Sequence, residues 1–436
     1  MKQYLNNLKT FVSFKTISTD KRYKDEMKKA VSWLSSVFLQ NGFRVSTFKH
    51  KNSNPIICAK FSHNKKTETV LIYGHYDVQP AHKKDWSLDP FEIKITKTKI
   101  LGRGVVDNKG QILIHITTIF KLIKEKKLKY NIIFLIEGDE ESGSEHLEDI
   151  LKKNKKLLHC DHIIFSDGEM TNGFPTIDTS FRGGFNMSVT LTSAQNDLHS
   201  GIFGGAVPNA ANEMTKLLAK IYDKNNTVTI PGFYKNVDKI SKSQISTHKK
   251  LSDEKTLCEL ACVKKTLCES GLDFYTQTGM RPTIQITGLS SGYCKDGYAN
   301  IVPSSACAKL NIRIVPSQNA NEMAKAVQTF FEKNIPKYLK SEIKIDSKWP
   351  PIKLKHDQEI FEEIQKILEK IYKKPVITKY CGGSLPIIGS FKNILGHNPI
   401  SVSLANEDCN MHGVNENFQI KYIKKGLEVS EKIFGK

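Results

Sequence analysis

Arginine is scarce in this chain. Six arginines, at positions 22, 44, 103, 182, 281 and 313, stand against 59 lysines. No apolar run approaches the roughly 20 residues that span a bilayer, so no membrane partner is expected. The opening MKQYLNNLKT has no apolar core, so no secretory signal is visible and a cytoplasmic location is expected. The nine cysteines are odd in number and scattered, which speaks for reduced thiols rather than a disulfide framework. Cys258 and Cys262 lie one helical turn apart, but no histidine or second cysteine pair stands near to complete a zinc site.

The same scarcity qualifies the net charge of +20. Lysines are spread along the chain, as in 121–129 and 152–156, without the interleaved aromatics and arginines of a nucleic-acid reader. A solvated basic surface is the expectation, not a nucleic-acid footprint. Arg103, Arg182 and Arg313 fall inside the most structured-looking motifs, where a planar fork does what lysine cannot.

At 436 residues, two domains are the default. The first 180 residues alternate strand and helix. A helix is expected over 24–41, with Met27, Ala30, Val31, Leu34 and Phe38 on one face and Gly42 ending it. Strands follow near 43–49, 55–61 and 69–74, then a helix near 108–125 and strands at 131–136 and 162–165. This is an α/β pattern: a mixed, mostly parallel sheet flanked by helices. From about 180 the texture becomes α+β, with strands near 185–191, 283–287, 307–315 and 341–346 and helices near 208–222 and 319–333. After the W-P-P of 349–351 the first texture returns, so residues 1–179 and 349–436 are expected to form one domain interrupted by an insertion, 180–348.

Several strands end in a polar cluster. L-I-Y-G-H-Y-D-V-Q-P places His75 and Asp77 two residues apart, on the same side of an extended chain. G-R-G-V-V-D-N-K-G places Asp107 before a helix, and E-G-D-E-E-S-G-S places Asp139, Glu140 and Glu141 after a strand. I-I-F-S-D-G-E places Asp167, and D-C-N-M-H-G-V-N-E places His412 near the C-terminus. One acid after a strand is ordinarily a helix cap or a turn residue. Two histidines with several carboxylates form the N/O donor set of paired divalent metals, and a carboxylate can bridge two ions.

These motifs, with W-S-L-D-P-F (86–91) and D-L-H-S-G (197–201), occur in the order of a metallopeptidase family. The chain resembles the family of carnosinases, cytosolic dipeptidases, aminoacylases and acetylornithine deacetylases, and is closest to its dipeptidase branch. The resemblance implies a catalytic metal-binding domain and an inserted lid and dimerisation domain. It implies two divalent ions, zinc first, with manganese or cobalt able to replace it. His75, Asp107 and Asp167 would hold one ion, and Asp107, Glu141 and His412 the other, with a cis peptide at Asp107–Asn108. Glu140 would be the general base for a metal-bridged hydroxide, with Asp139 as its rival, and Asp77 would orient His75. His199 would reach the active site of a neighbouring subunit in a homodimer. Arg313 would grip the C-terminal carboxylate of a small peptide, with Asn300 and Ser384 also touching substrate.

Asp167 at the third strand end suits a dipeptidase, whereas deacylases tend to carry glutamate there; Glu169, close by, reads as a turn residue. One departure stands out: the dipeptidase pattern has Arg-Glu before Gly-Gly-Ser, and this chain has Tyr380-Cys381. The expected activity is hydrolysis of dipeptides with a free C-terminal carboxylate. An N-acyl amino-acid deacylase or carboxypeptidase using the same dinuclear site is the alternative.

Overall fold

Continuous apolar runs, rather than alternation, mark the strands at the heart of the chain. Thr69–His75 (TVLIYGH) and Asn131–Glu137 (NIIFLIE) are buried along nearly their whole length, as strands covered on both faces must be. The computed structural model describes residues 1–355, 358–385 and 387–436, with 243 and 358 described by backbone only. It pairs these two strands in parallel. Across the sheet the order is Arg44–Phe48, Ile56–Phe61, Asn131–Glu137, Thr69–His75, His162–Phe165, Ile400–Ser403, Thr176–Phe181. The four central strands run parallel and the outer pairings are antiparallel. The expected α/β sheet is therefore mixed, its parallel pairing confined to the centre.

Contacts divide the chain into two units, one of Met1–Thr179, Leu354–Lys379 and Pro386–Lys436, the other of Ser180–Lys353 and Tyr380–Leu385. The cut expected after residue 348 falls inside the strand Lys340–Trp349, whose last residue still pairs with Gly184. The segment 380–385 joins the second unit through Ser384, whose hydroxyl accepts from Arg313 Nη1 at 2.6 Å and from Trp349 Nε1 at 2.9 Å.

In the first unit, the helix Lys24–Gln40 buries Met27, Ala30, Leu34 and Phe38 on one face. It ends at Gly42, whose φ of +82° suits glycine. Phe38 meets Phe43, Phe120 and Phe134 with ring centroids 5.2, 5.8 and 5.1 Å away. Burial of each such side chain contributes about 1.5–3 kcal/mol.

The helix Lys109–Lys124 is buried on nearly all sides and carries His115. The His115 ring lies 2.9 Å from Ser166 Oγ and 3.0 Å from Ser430 Oγ. Burial pushes its pKa down to about 4, whereas an imidazole in an unfolded chain titrates near ~6.5. Between those values the unfolded chain binds the extra proton. The stabilisation from this group is complete above about pH 6.5 and is lost as pH falls towards about 4. Denaturant titrations should show wild type losing about 2 kcal/mol more than His115→Gln between roughly pH 6.5 and 5. Equal losses would contradict this.

The second unit is built on a four-stranded antiparallel sheet ordered Thr283–Ser291, Ser305–Ile314, Gly183–Thr192, Lys340–Trp349. Alternation is clear along its third strand, where Phe185, Met187, Val189 and Leu191 face the core. The helices Ala210–Ala219 and Ala320–Asn334 cover that face with Met214, Leu217, Val327 and Phe331. Among the described residues, no helix is long and apolar enough to cross a membrane.

Candidate metal centre

The parallel centre of the sheet brings its strand ends to one edge, where open α/β sheets place their ligand sites. His75 is the last residue of its strand. Glu140 and Glu141 form a 3-10 turn just after the neighbouring strand, Asn131–Glu137. Asp167 follows the strand His162–Phe165 by two residues. Asp107 leads into the helix Lys109–Lys124 through a cis peptide to Asn108. His412 sits on a tightly curled loop in which Asn410, His412 and Asn415 have φ of 55°, 61° and 55°, a region that Asn and His tolerate better than most residues. Close approach also matters: a Cβ on Gly74 would stand 2.7 Å from Asn108 Oδ1 and 2.9 Å from Ile112 Cδ1.

Asp107 directs one oxygen to each histidine. Its Oδ1 lies 3.1 Å from His75 Nε2 and its Oδ2 lies 2.8 Å from His412 Nε2. Asp167 Oδ1 is 3.5 Å from His75 Nε2, and Glu141 Oε2 is 3.3 Å from His412 Nε2. Two sets follow, His75–Asp107–Asp167 and Asp107–Glu141–His412, with donor atoms in each within 4.8 Å of one another. Two ligands about 2.1 Å from one ion at a tetrahedral angle stand about 3.4 Å apart, so these spacings fit a shared ion. His75 Nε2 is buried and makes no hydrogen bond. A buried nitrogen left without a partner is costly unless something coordinates it. The donors present therefore fit two divalent cations.

The surrounding groups hold these donors in place. His75 Nδ1 lies 3.1 Å from the Asp77 carbonyl and 3.3 Å from its carboxylate, which leaves Nε2 for the centre. The Asp77 carboxylate also accepts from the backbone N–H of Glu140 (3.3 Å) and of Glu141 (3.0 Å). Asn108 Nδ2 donates to Asp167 at 2.6 Å, and Gln79 donates to Glu141 from its backbone at 3.1 Å and its side chain at 2.7 Å.

The electrostatics are those of a site crowded with negative charge. Burial, reinforced by Asp167, Glu141 and Asp107 and only partly offset by His75, pushes Glu140 well above the ordinary carboxylate range. Hydrogen bonds to Asp107 and Glu141 lift His412 to about 11. Burial alone would depress His75, but the charge of Asp167 and the close approach of Asp107 and Asp77 hold it well above its usual value. Protons gather where negative charge is uncompensated, and divalent cations compensate it more fully.

The other expected residues have different settings. Asp139 accepts from the backbone and side-chain nitrogens of Asn54, at 2.7 and 2.5 Å, and so pins that loop. Glu169 is no simple turn acid: it accepts from the Cys409 thiol at 2.8 Å, and burial raises it to about 7. His199, Asn300, Arg313 and Ser384 belong to the second unit. There His199, itself exposed, pairs with Ile301 in a two-stranded ribbon, its Nδ1 accepting from Gly201 N at 3.0 Å. Asn300 is exposed, and its carbonyl accepts from Ser200 N at 2.9 Å. No disulfide joins any of the nine cysteines. Among the described residues, neither donor cluster includes Cys258 or Cys262.

Sequence reasoning missed a buried hub. Glu416 accepts from Arg103 Nη1 at 2.8 Å and from the backbone N–H of Gly104, Val106 and Asp107 at 2.9, 2.8 and 3.1 Å. Arg103 Nη2 also donates to the carbonyls of His412 (3.2 Å) and Gly413 (3.0 Å). The pair thus ties the loop of Asp107 to the loop of His412. The available signal was an arginine, rare in this chain, in one metal-site motif and an acid closing another.

Three comparisons bear on this arrangement. The profile of peptidase family M20/M25/M40 matches residues 71–436. The chain is 25% identical over 457 residues to the probable di- and tripeptidase DUG2 of Saccharomyces cerevisiae, covering 100% of this chain but only 50% of that protein. It therefore spans half the length of that relative. It is 26% identical over 454 residues to the Cys-Gly metallodipeptidase DUG1 of the same yeast, covering 98% of this chain and 93% of the relative. The crystal structure of human carnosine dipeptidase 1 superposes with a TM-score of 0.87 at 24% identity, covering 99% of this chain and 95% of that one, and so shares the fold.

Proposed function

The chain belongs to peptidase family M20/M25/M40 and is a metallopeptidase; from that premise we propose that it is a dinuclear dipeptidase. The observation that carries this reading is Asp107, with one carboxylate oxygen towards each histidine, and beside it a buried His75 Nε2 that faces carboxylates without a hydrogen bond. His75, Asp107 and Asp167 would hold one divalent cation, and Asp107, Glu141 and His412 the other. Zinc is the expected metal, and an N/O donor set also accepts manganese or cobalt. Bound there, the cations would polarise the scissile carbonyl and acidify a water molecule.

The remaining chemistry belongs to side chains. Glu140 takes the proton of the attacking water on its carboxylate and returns it to the leaving amine. Asp77 fixes the ring of His75 and, through two backbone N–H groups, the turn that carries Glu140 and Glu141. Arg313 grips the C-terminal carboxylate of the dipeptide as a charge-assisted donor, with Ser384 and Asn300 completing the contact. His199 acts on the developing oxyanion at the site of a second copy of the chain. The homodimer would form through this unit, in which Ile202, Phe203 and Tyr298, close in sequence to His199 and Asn300, are exposed. The first unit is the catalytic domain and the second the lid and dimerisation domain of a cytoplasmic enzyme that engages neither nucleic acid nor membrane.

The test is hydrolysis of Ala-Ala, Cys-Gly and β-Ala-His set against N-acetyl amino acids, with bound metal quantified in the same preparation. Two metals per chain, dipeptide cleavage, and loss of both on chelation are expected. Two metals with cleavage of only the N-acetyl substrates would make the enzyme a deacylase. A chain that binds no metal overturns the reading.

A further inference from the structure

Arg22, Arg103 and Arg281 each meet a carboxylate. Arg182 and Arg313 meet none among the described residues, yet both line one cavity of about 650 Å³ within the second unit. Arg182 donates from Nε to the Gly382 carbonyl at 2.7 Å and from Nη1 to the Arg281 carbonyl and Thr283 Oγ1 at 3.4 and 3.3 Å. Arg313 donates from Nε to Asn311 Oδ1 at 3.1 Å and from Nη1 to Ser384 Oγ at 2.6 Å. In both, Nη2 has no hydrogen bond among the described residues. Ser384 joins the two, since its hydroxyl also donates to the Arg182 carbonyl. The one acid on the cavity wall, Glu269, is taken up by Arg281 at 2.7 Å and by the Tyr234 hydroxyl at 3.1 Å.

Two half-buried guanidinium groups without a counter-ion are unfavourable as a purely structural device. Arginine cannot shed its charge by deprotonating, and the neighbouring cation adds repulsion. Burial and Arg313 together lower the Arg182 pKa to about 10, which registers that cost. The arrangement is relieved by an anion carrying two charges, presented to forks whose outer nitrogens are open. Cys381 directly precedes Gly382, whose carbonyl Arg182 Nε holds, and it supplies a thiol at a chain position where an acid would have brought a negative charge.

We propose that Arg182 and Arg313 form a two-charge anion site that selects substrates whose C-terminal residue carries a second carboxylate, namely dipeptides ending in Asp or Glu. This rests on the dipeptidase reading for the reaction but not for the anion site. An N-acylated acidic amino acid presents the same dicarboxylate end, so both substrate kinds enter the test.

The experiment compares kcat/KM for Ala-Glu and Ala-Gln, and for N-acetyl-glutamate and N-acetyl-glutamine, in the metal-loaded full chain. Wild type should prefer the acidic member by at least about tenfold, the low end for a charge-assisted hydrogen bond. Arg182→Gln should remove most of that preference, and Arg182→Lys should restore part of it. Arg182 also holds backbone carbonyls, so Cys381→Glu provides a second arm. An internal carboxylate should lower the Glu-over-Gln ratio, while Cys381→Ser keeps it. Equal rates on Ala-Glu and Ala-Gln, indifferent to Arg182, overturn the anion site and leave the dipeptidase reading standing. Preference confined to N-acetyl-glutamate does the reverse. If no substrate is cleaved, calorimetric titration of free glutamate against glutamine decides, and equal binding overturns the proposal.

Discussion

Glu140→Ala should lower kcat on any substrate the enzyme cleaves by at least about a thousandfold, while both metals remain bound. General acid–base groups contribute roughly 10²–10⁴ in rate, and a thousandfold is about 4 kcal/mol of barrier. Glu140 belongs at the upper part of that range because it serves two steps, receiving a proton from water and delivering it to the amine. Metal retention follows from geometry. Glu140 Oε2 stands 3.8 Å from His75 Nε2, farther than Asp107 or Asp167, and it belongs to neither three-residue donor set. Glu140→Gln should be nearly as inactive, since an amide keeps the shape but cannot carry the proton. Elemental analysis beside steady-state kinetics checks both halves. Loss of a metal in the Ala variant would make Glu140 a ligand, and full activity with both metals retained would move the base elsewhere.

The strand ends were legible because hydrophobic runs and the polar clusters after them are local features. His75, Glu141 and Asp167 each follow a recognisable apolar strand, and parallel pairing gathers those ends without further instruction; Asp107 precedes a helix, and His412 lies on a loop beyond the strand Ile400–Ser403. The helix Lys2–Ser13 was not legible. Its sequence KQYLNNLKTFVS is polar on average, and what holds it is tertiary: Tyr4 and Phe11 are fully buried, and Lys109 Nζ donates to the Phe11 and Phe14 carbonyls at 3.0 and 2.8 Å. The polar, lysine-rich stretch before residue 275 shows no clear apolar period, yet it carries the helices Lys242–Leu251 and Glu254–Ala261. Those helices are capped by Ser241 and Asp253, whose cues are short and easily lost among polar residues. Contacts divide the chain after Lys353, a few residues past the expected cut, because a strand followed by two prolines looks like a linker before its pairing partner is known. Tyr380-Cys381 was visible as a departure. Its physical setting, beside two arginines without acids, needed the fold.

Loss of the Glu416 carboxylate should be the most destabilising single change near the centre. Glu416 is fully buried, Arg103 is 2% exposed, and the guanidinium lies 5.2 Å from the ring of Trp86. Glu416→Ala strands that cation in the interior and leaves the N–H groups of Gly104, Val106 and Asp107 without their acceptor. Removing one partner of a buried pair costs about 3–5 kcal/mol. Because one of those N–H groups belongs to Asp107, metal affinity should also fall by roughly 10–100-fold, as it does when the groups supporting a ligand are removed. Arg103→Met should cost less. The carboxyl left behind can neutralise itself by binding a proton and still accepts three backbone hydrogen bonds, whereas a stranded guanidinium stays charged. Denaturant melts with metal titrations on both variants measure the difference. Equal or greater damage from Arg103→Met would mean that Arg103, through its bonds to the His412 and Gly413 carbonyls, is the true anchor of the two loops.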